Sequence, residues 1–263
     1  MDHDAFYRPL GGGRFESTVA TSGPWSAAMQ HGGPVAALLA HELAGHDPVP
    51  GLRPGRFAMD LLGPVPVSPL QVRTSTLRPG RRVQLVGAEL TAGGRVVARA
   101  SVWRLAVPSS PPALLAGAPP PEPPPPLPGE GSWTLEFPGA FTDGYLAAIE
   151  GRPVTRQPGA ATIWLRPRIP LVAGSEMTAL ERTLVVADSG NGASAALDPR
   201  RFRFLNVDLS VVVHRDPVGE WLCLAARTTI GPTGTGLADT KLSDTSGTVG
   251  RATQTLLVAP TDT

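Results

Sequence analysis

The sequence predicts an α+β protein in which one plan, a helix packed on a long antiparallel sheet, occurs twice. Three observations carry that prediction. The two halves of the chain repeat landmarks, each half reads as a helix followed by strands, and a proline-rich stretch separates them.

The first landmark is Arg56-Phe57-Ala58-Met59-Asp60-Leu61-Leu62, which matches Phe204-Leu205-Asn206-Val207-Asp208-Leu209-Ser210. The second pairs Val97–Leu105 with Val249–Leu257, through Arg99 and Arg251. Asp60 and Arg99 are 39 residues apart and Asp208 and Arg251 are 43, so the register is expected to hold to within one loop. So long a period means a duplicated domain, not a solenoid.

In the first half Pro34, after Gly32-Gly33, can take the first helical position, where its missing donor costs nothing. Val35, Leu38, Leu39 and Leu43 then form an apolar stripe on a helix ending near Gly45. In the second half Ser175 is a candidate N-cap, with Met177, Leu180, Leu184 and Val185 as the stripe and Asp188-Ser189-Gly190-Asn191-Gly192 as the breaker. Alternating runs follow each helix. They are Leu70–Leu77, Arg82–Leu90 and Arg95–Trp103, then Val207–His214, Trp221–Ile230, Leu237–Ser243 and Val249–Val258. Between the halves, eleven of the 30 prolines fall in Pro108–Pro128, which suits a stiff extended tether. The expected domains are 1–107 and 132–263, joined by a linker at 108–131.

Composition narrows the function. Over 263 residues the net charge is +1, without the basic excess that drives nucleic-acid binding. A hydrophobic share of 41% with 17% charged residues fits a globular chain. Cys223 is the only cysteine, which excludes an internal disulfide or a multi-thiolate metal site. No basic leader or membrane-spanning run is visible, so a cytoplasmic protein with no membrane partner is expected.

Asp208 is the first chemical candidate, because it interrupts an otherwise apolar strand. A carboxylate desolvated by such neighbours titrates higher, toward the range useful to a general base. Period-two alternation puts it on one face with Asn206 and Ser210, which equally fits a surface Asp on an open sheet face. Gln254 and the pair Thr228-Thr229 lie on strands of the same half, where an amide and a hydroxyl beside a carboxylate could hold a water molecule. Each alone also reads as a plain sheet residue. His31-Gly32-Gly33-Pro34 could present helix-start amides to a substrate carbonyl, or could merely turn the chain into a helix. His41-Glu42-Leu43-Ala44-Gly45-His46 has its histidines at i, i+5, on different faces, and is not expected to bind metal. Gly231–Gly236 lacks the Lys and following helix of a phosphate loop and reads as a hairpin turn.

These residues carry a resemblance. Val207-Asp208-Leu209-Ser210-Val211-Val212-Val213-His214-Arg215, then Glu220-Trp221-Leu222 and Thr228-Thr229, is similar to the double-hotdog acyl-CoA thioesterases, of the acyl-CoA thioesterase II type, and their thioesterase-like actinobacterial relatives. The resemblance implies two fused hotdog folds, each a long helix wrapped by antiparallel sheet. It also implies hydrolysis of fatty acyl-CoA by water that an Asp, a Thr or Ser and a Gln activate. Matched residue by residue, these are Asp208, Thr229 and Gln254, with Thr228 one position away, and His31, Gly32 and Gly33 at the helix start bind substrate. Val102 stands where the repeat places Gln254, so one competent site per chain is expected. No metal and no cofactor beyond the substrate's coenzyme A is implied, and the family suggests a homo-oligomer. The rival is a non-catalytic acyl-CoA or lipid-binding protein. A hotdog enoyl-CoA hydratase is disfavoured, because neither half has its Gly-Asp-x-Asn-Pro-apolar-His motif.

Overall fold

The computed structural model describes residues 4–108, 122–131 and 140–261. The first half runs β1 (Tyr7–Gly11), β2 (Arg14–Ser17), β3 (Ser22–Gly23), β4 (Ser26–Gln30), α1 (Gly32–Gly45), β5 (Leu52–Leu61), β6 (Pro69–Arg78), β7 (Val83–Ala92) and β8 (Arg95–Ala106). The second runs α2 (Tyr145–Ala148), β9 (Ile149–Gln157), β10 (Ala160–Pro167), α3 (Ala179–Ala187), α4 (Gly190–Ala193), β11 (Phe202–Asn206), β12 (Asp208–Val213), β13 (Leu222–Ile230), β14 (Thr235–Asp244) and β15 (Gly247–Pro260). Among the described residues these strands form one thirteen-stranded sheet, in the order β1-β2-β6-β7-β8-β5-β12-β15-β14-β13-β10-β9 with β11 also on β15, and the separate pair β3-β4. Every ladder in the sheet is antiparallel.

Helix α1 packs on β6, β7 and β8, α3 packs on β10 and β13, and the two helices pack on each other. The predicted stripe Val35, Leu38, Leu39 and Leu43 is buried, and so are Ala36, Ala37 and Ala40, because α1 is covered by sheet on one side and by α3 on the other. Its N-cap is His31, which puts Pro34 at the third helical position; the donor it lacks would have had no intrahelical acceptor there either. The second helix starts three residues later than Ser175 suggests, with Thr178 as its N-cap. Thr178 and Glu181 form a capping box, with Glu181 N–H on Thr178 Oγ1 at 3.2 Å and Thr178 N–H on Glu181 Oε2 at 2.8 Å, and this reciprocal pair outcompetes a serine.

The repeat is real but its register differs from the expected one. Ala58 pairs with Ser101 as Ser210 pairs with Thr253, Ala88 with Ala100 as Thr240 with Ala252, and Thr76 with Val86 as Thr228 with Ala238. Counterparts therefore lie 152 residues apart, as Arg99 and Arg251 do, and Val102 is the counterpart of Gln254. The match of Asp60 with Asp208 is four residues out: the counterpart of Asp208 is Arg56. At the seam β5 pairs with β12 from Arg56↔Val212 to Asp60↔Asp208, centred on the equivalent residues Ala58 and Ser210.

One irregularity decides the site. Asn206 pairs with Leu256 but Ser210 with Thr253, so four residues on one strand oppose three on the other, and Val207 forms a bulge. A bulge inverts the alternation. Phe204 and Leu209 are both buried, Asn206 faces inward, and Asp208 faces outward with Ser210.

Part of the proline-rich linker, 109–121, lies outside the described residues. Its described part, 122–131, forms no helix or strand and lies against the second half, where Glu122 pairs with Lys241 at 2.8 Å and Pro128 O accepts from Arg152 at 2.8 Å. No helix among the described residues is long and apolar enough to cross a membrane.

Candidate active site

The start of α1 meets the end of α3, and the residue at that meeting is Asp188. It is the C-cap of α3, 6% exposed, and its Oδ1 accepts from Asn206 Nδ2 at 2.8 Å and from Gln254 Nε2 at 2.9 Å. Gln254 is locked by two further bonds: its Nε2 also donates to Asp188 O at 3.1 Å, and its Oε1 accepts from Asn191 N–H at 3.1 Å. Asp188 Oδ2 lies 3.2 Å from His31 Nδ1, and the same nitrogen accepts from Gly33 N–H at 3.1 Å. The His31 ring stacks on Tyr145 at 3.7 Å and 4°. Tyr145 is fixed in turn by donating to Val185 O and by a bond to Ser189 Oγ, both at 2.8 Å. Burial lowers the pKa of His31, against the opposing charge of Asp188, and the same burial raises that of Tyr145.

Both glycines of the His-Gly-Gly-Pro run are required by close approach. A Cβ on Gly32 would lie 2.8 Å from Asp188 Oδ2, and one on Gly33 would lie 2.1 Å from Val185 O. Of the first three residues of α1, Gly33 gives its N–H to His31 and Pro34 has none, which leaves the amide of Gly32.

Asp188, His31, Gly32, Tyr145 and Asn206 form the polar end of a cavity of about 410 Å³ whose other walls include Trp25, Met29, Leu61, Val65, Leu146 and Phe204, and Gln254 backs Asp188 from behind that lining. A carboxylate held by two amides at the bottom of an apolar cleft, facing a helix N-terminus, can take a proton from a water molecule. The amide left at the helix start can stabilise an oxyanion.

The structure brings only part of the sequence-predicted constellation here. Gln254, His31, Gly32 and Gly33 are at the site. Asp208 is not: the bulge turns it to the outer face, where it is half-buried and its Oδ1 accepts from Thr255 N–H at 2.5 Å. Thr229 is exposed on that same outer face, beside Leu237, which pairs in turn with Thr255. Thr228 faces inward beside Ala238, which pairs with Gln254, and its Oγ1 bonds Ser194 Oγ at 2.7 Å; Ser194 then donates to Gly190 O.

Asp188, Asn206 and Tyr145 were missed. One signal was available: an acid closing an apolar helix sits at the negative end of the helix dipole, a local misfit of the kind that marks functional positions. The stretch read as a helix breaker does end α3 and then turns into α4, which carries Asn191 over Gln254.

Arg215 and Trp221, from the motif behind the family resemblance, make structural contacts. Arg215 clamps Asp244 with bonds of 2.5 and 2.6 Å. Burial raises the pKa of Asp244, but Arg215 and the amides of Val218 and Ser246 outweigh it and bring it to about 2. Trp221 is stacked by Arg152 and Arg166. His41 and His46 are engaged by Glu181 and by Thr74 and Thr76, and the thiol of buried Cys223 is pushed up to about 12 by desolvation. Gly231–Gly236 is the β13–β14 hairpin.

The family model of the acyl-CoA thioesterase N-terminal domain matches residues 21–105, and that of the acyl-CoA thioesterase C-terminal domain matches 116–258. The chain belongs to the acyl-CoA thioesterase family. It is therefore an acyl-CoA thioester hydrolase by family. Solved structures of the same fold include the acyl-CoA thioesterase II of Mycobacterium marinum, 14% identical over 97% of this chain and 95% of that one, with a TM-score of 0.66. A candidate thioesterase from Novosphingobium aromaticivorans is 19% identical, over 96% and 98% of the two chains, with a TM-score of 0.72. A protein of hot dog fold from Alicyclobacillus acidocaldarius is 16% identical over 100% of both chains, with a TM-score of 0.68. No curated protein matches the chain in sequence.

Proposed function

We propose that this thioesterase hydrolyses fatty acyl-CoA with Asp188 as general base, Gln254 and Asn206 as the amides that hold it, and Gly32 N–H as donor to the thioester oxygen. The observation that carries the reading is the 2.9 Å bond between Asp188 and Gln254 at the polar end of an apolar cavity. In the reaction a water oxygen bonds to the thioester carbon while its proton passes to the Asp188 carboxylate. The carbonyl π electrons move to the oxygen, which the Gly32 amide stabilises. Collapse breaks the C–S bond, and the departing thiolate takes the proton from Asp188, giving the free acid and coenzyme A. His31, stacked on Tyr145, lies 3.2 Å from Asp188 Oδ2, and burial lowers its pKa.

Two fused hotdog units, 1–107 and 132–263 with a tether at 108–131, belong to this reading; the separate N- and C-terminal family models and the symmetric β5–β12 seam support it. The test is thiol release from acyl-CoAs of graded chain length. Release that Asp188→Asn abolishes and Asp208→Asn leaves intact supports the assignment, whereas saturable acyl-CoA binding without release would favour a carrier.

A further inference from the structure

The apolar cavity that holds Asp188 is one of two adjoining spaces. A second, of about 310 Å³, shares Trp25, Asn191, Gly192 and Phe204 with it and leads away over Ala195, Leu197 and Pro199 to Arg156 and Gln157 on β9. Their linings differ in charge: no Lys or Arg lines the first, whereas Arg156 lines the second. Arg156 is exposed and makes no ion pair among the described residues.

Asn191 stands at the junction. It is only 8% exposed, its backbone N–H is committed to Gln254, and its side-chain carboxamide makes no hydrogen bond among the described residues. An amide side chain without a protein partner among the described residues, on a nearly buried residue that lines two cavities at once, can bond a ligand amide or carbonyl there.

We propose that the second cavity receives the pantetheine arm of coenzyme A, with the Asn191 carboxamide bonding the amide nearest the sulfur and Arg156 meeting the phosphates. The proposal rests on the hydrolase reading and deepens it. A thioester has its reactive carbon mid-molecule, between an apolar chain and an arm of amides that ends in phosphates. A base in an apolar cavity without Lys or Arg, joined at Asn191 and Gly192 to a second cavity with the Arg156 guanidinium at its far end, suits that order of groups. The walls at Ala195, Leu197 and Pro199 suit the dimethyl carbon of the arm.

The experiment compares Arg156→Ala, Arg156→Lys and Asn191→Ala with the unaltered protein on dodecanoyl-CoA and on the dodecanoyl thioester of N-acetylcysteamine, which keeps the first amide and has no phosphates. Arg156→Ala should raise KM for the CoA ester about tenfold, one charge-assisted contact, at unchanged kcat. It should leave the truncated ester untouched, and Arg156→Lys should recover part of the loss. Asn191→Ala should raise KM for both esters. The proposal is overturned if Arg156→Ala leaves KM for the CoA ester within twofold, or if it harms both esters equally. Should the unaltered protein release no thiol at all, the hydrolase reading fails first. Calorimetric binding of coenzyme A then decides the cavity alone: a tenfold weaker Kd in Arg156→Ala supports it, and an unchanged Kd overturns it.

Discussion

Two regions of the molecule are built alike and differ in what they leave free. In the first, Asp188 closes α3 against the open start of α1, with Gln254 and Thr228 on the sheet beneath. In the second, Asp47 follows the end of α1, across a cleft from the start of α3, with Thr76 in the register of Thr228. Here Thr76 donates to Asp47 Oδ2 at 2.9 Å, but Val102 replaces Gln254. The buried Arg104 and Gln84 fill the space: Arg104 donates to Leu43 O, His46 O, Asp47 O and Gln84, and Gln84 donates to Asp47. The helix starts differ in the same sense. The first turn of α3 is satisfied by its own Thr178 and Glu181, whereas α1 has glycines that admit a carboxylate. A duplicated backbone offers two candidate sites, and the second has been closed by packing its polar groups against each other.

The sharpest way to break this comparison is Asp188→Asn, expected to lower kcat about 10³-fold, as loss of a general base does, with the thermal midpoint nearly unchanged. Asp208→Asn should stay within twofold, because an amide oxygen still accepts from Thr255 N–H at the bulge. Gln254→Val, which copies Val102 into the working site, should cost about 10²-fold in kcat. On the closed side Arg104→Leu should lower urea stability by about 3 kcal/mol, since it strips a cluster of buried acceptors of their donor, while kcat holds. Asn206→Leu should cost about tenfold in kcat, one hydrogen bond to Asp188, and Thr76→Val none.

The smallest effects concern the two histidines that bridge α1 and α3, which act with opposite sign. Burial lowers the pKa of His31 from its ordinary 6.5, so its contribution is full above that value and falls as pH drops below it. The Glu181 bond raises that of His41, so its contribution is full below 6.5 and is lost as pH rises through the folded value. His31→Gln should therefore flatten the loss of stability on acidification and His41→Gln steepen it, each by about 1 kcal/mol or less, read from urea melts between pH 5 and 8. Equal slopes in the two variants would refute the assignment.

Much of the fold was legible because it rests on periodicity. The α1 stripe, the hairpin through Gly93 and Gly94 and the long second-half strands follow from spacing and turn chemistry that local sequence carries. Strands β1, β2 and β9 were not: β1 and β2 are five and four residues long, and β9, at the sheet edge, is interrupted by Gly151 and Pro153. The site was half legible. Gln254 and the His31-Gly32-Gly33 run stood out by residue type, whereas Asp188 resembled the end of a helix and Asp208 a catalyst.

From the sequence alone come the duplication, the family and the residue types any such chemistry needs, because each is written in local order and spacing. Which carboxylate meets the glutamine was settled by a single bulge at Val207. One extra residue in a strand reverses every side chain beyond it, and pairing across the sheet, which the linear order does not encode, determines where that residue goes.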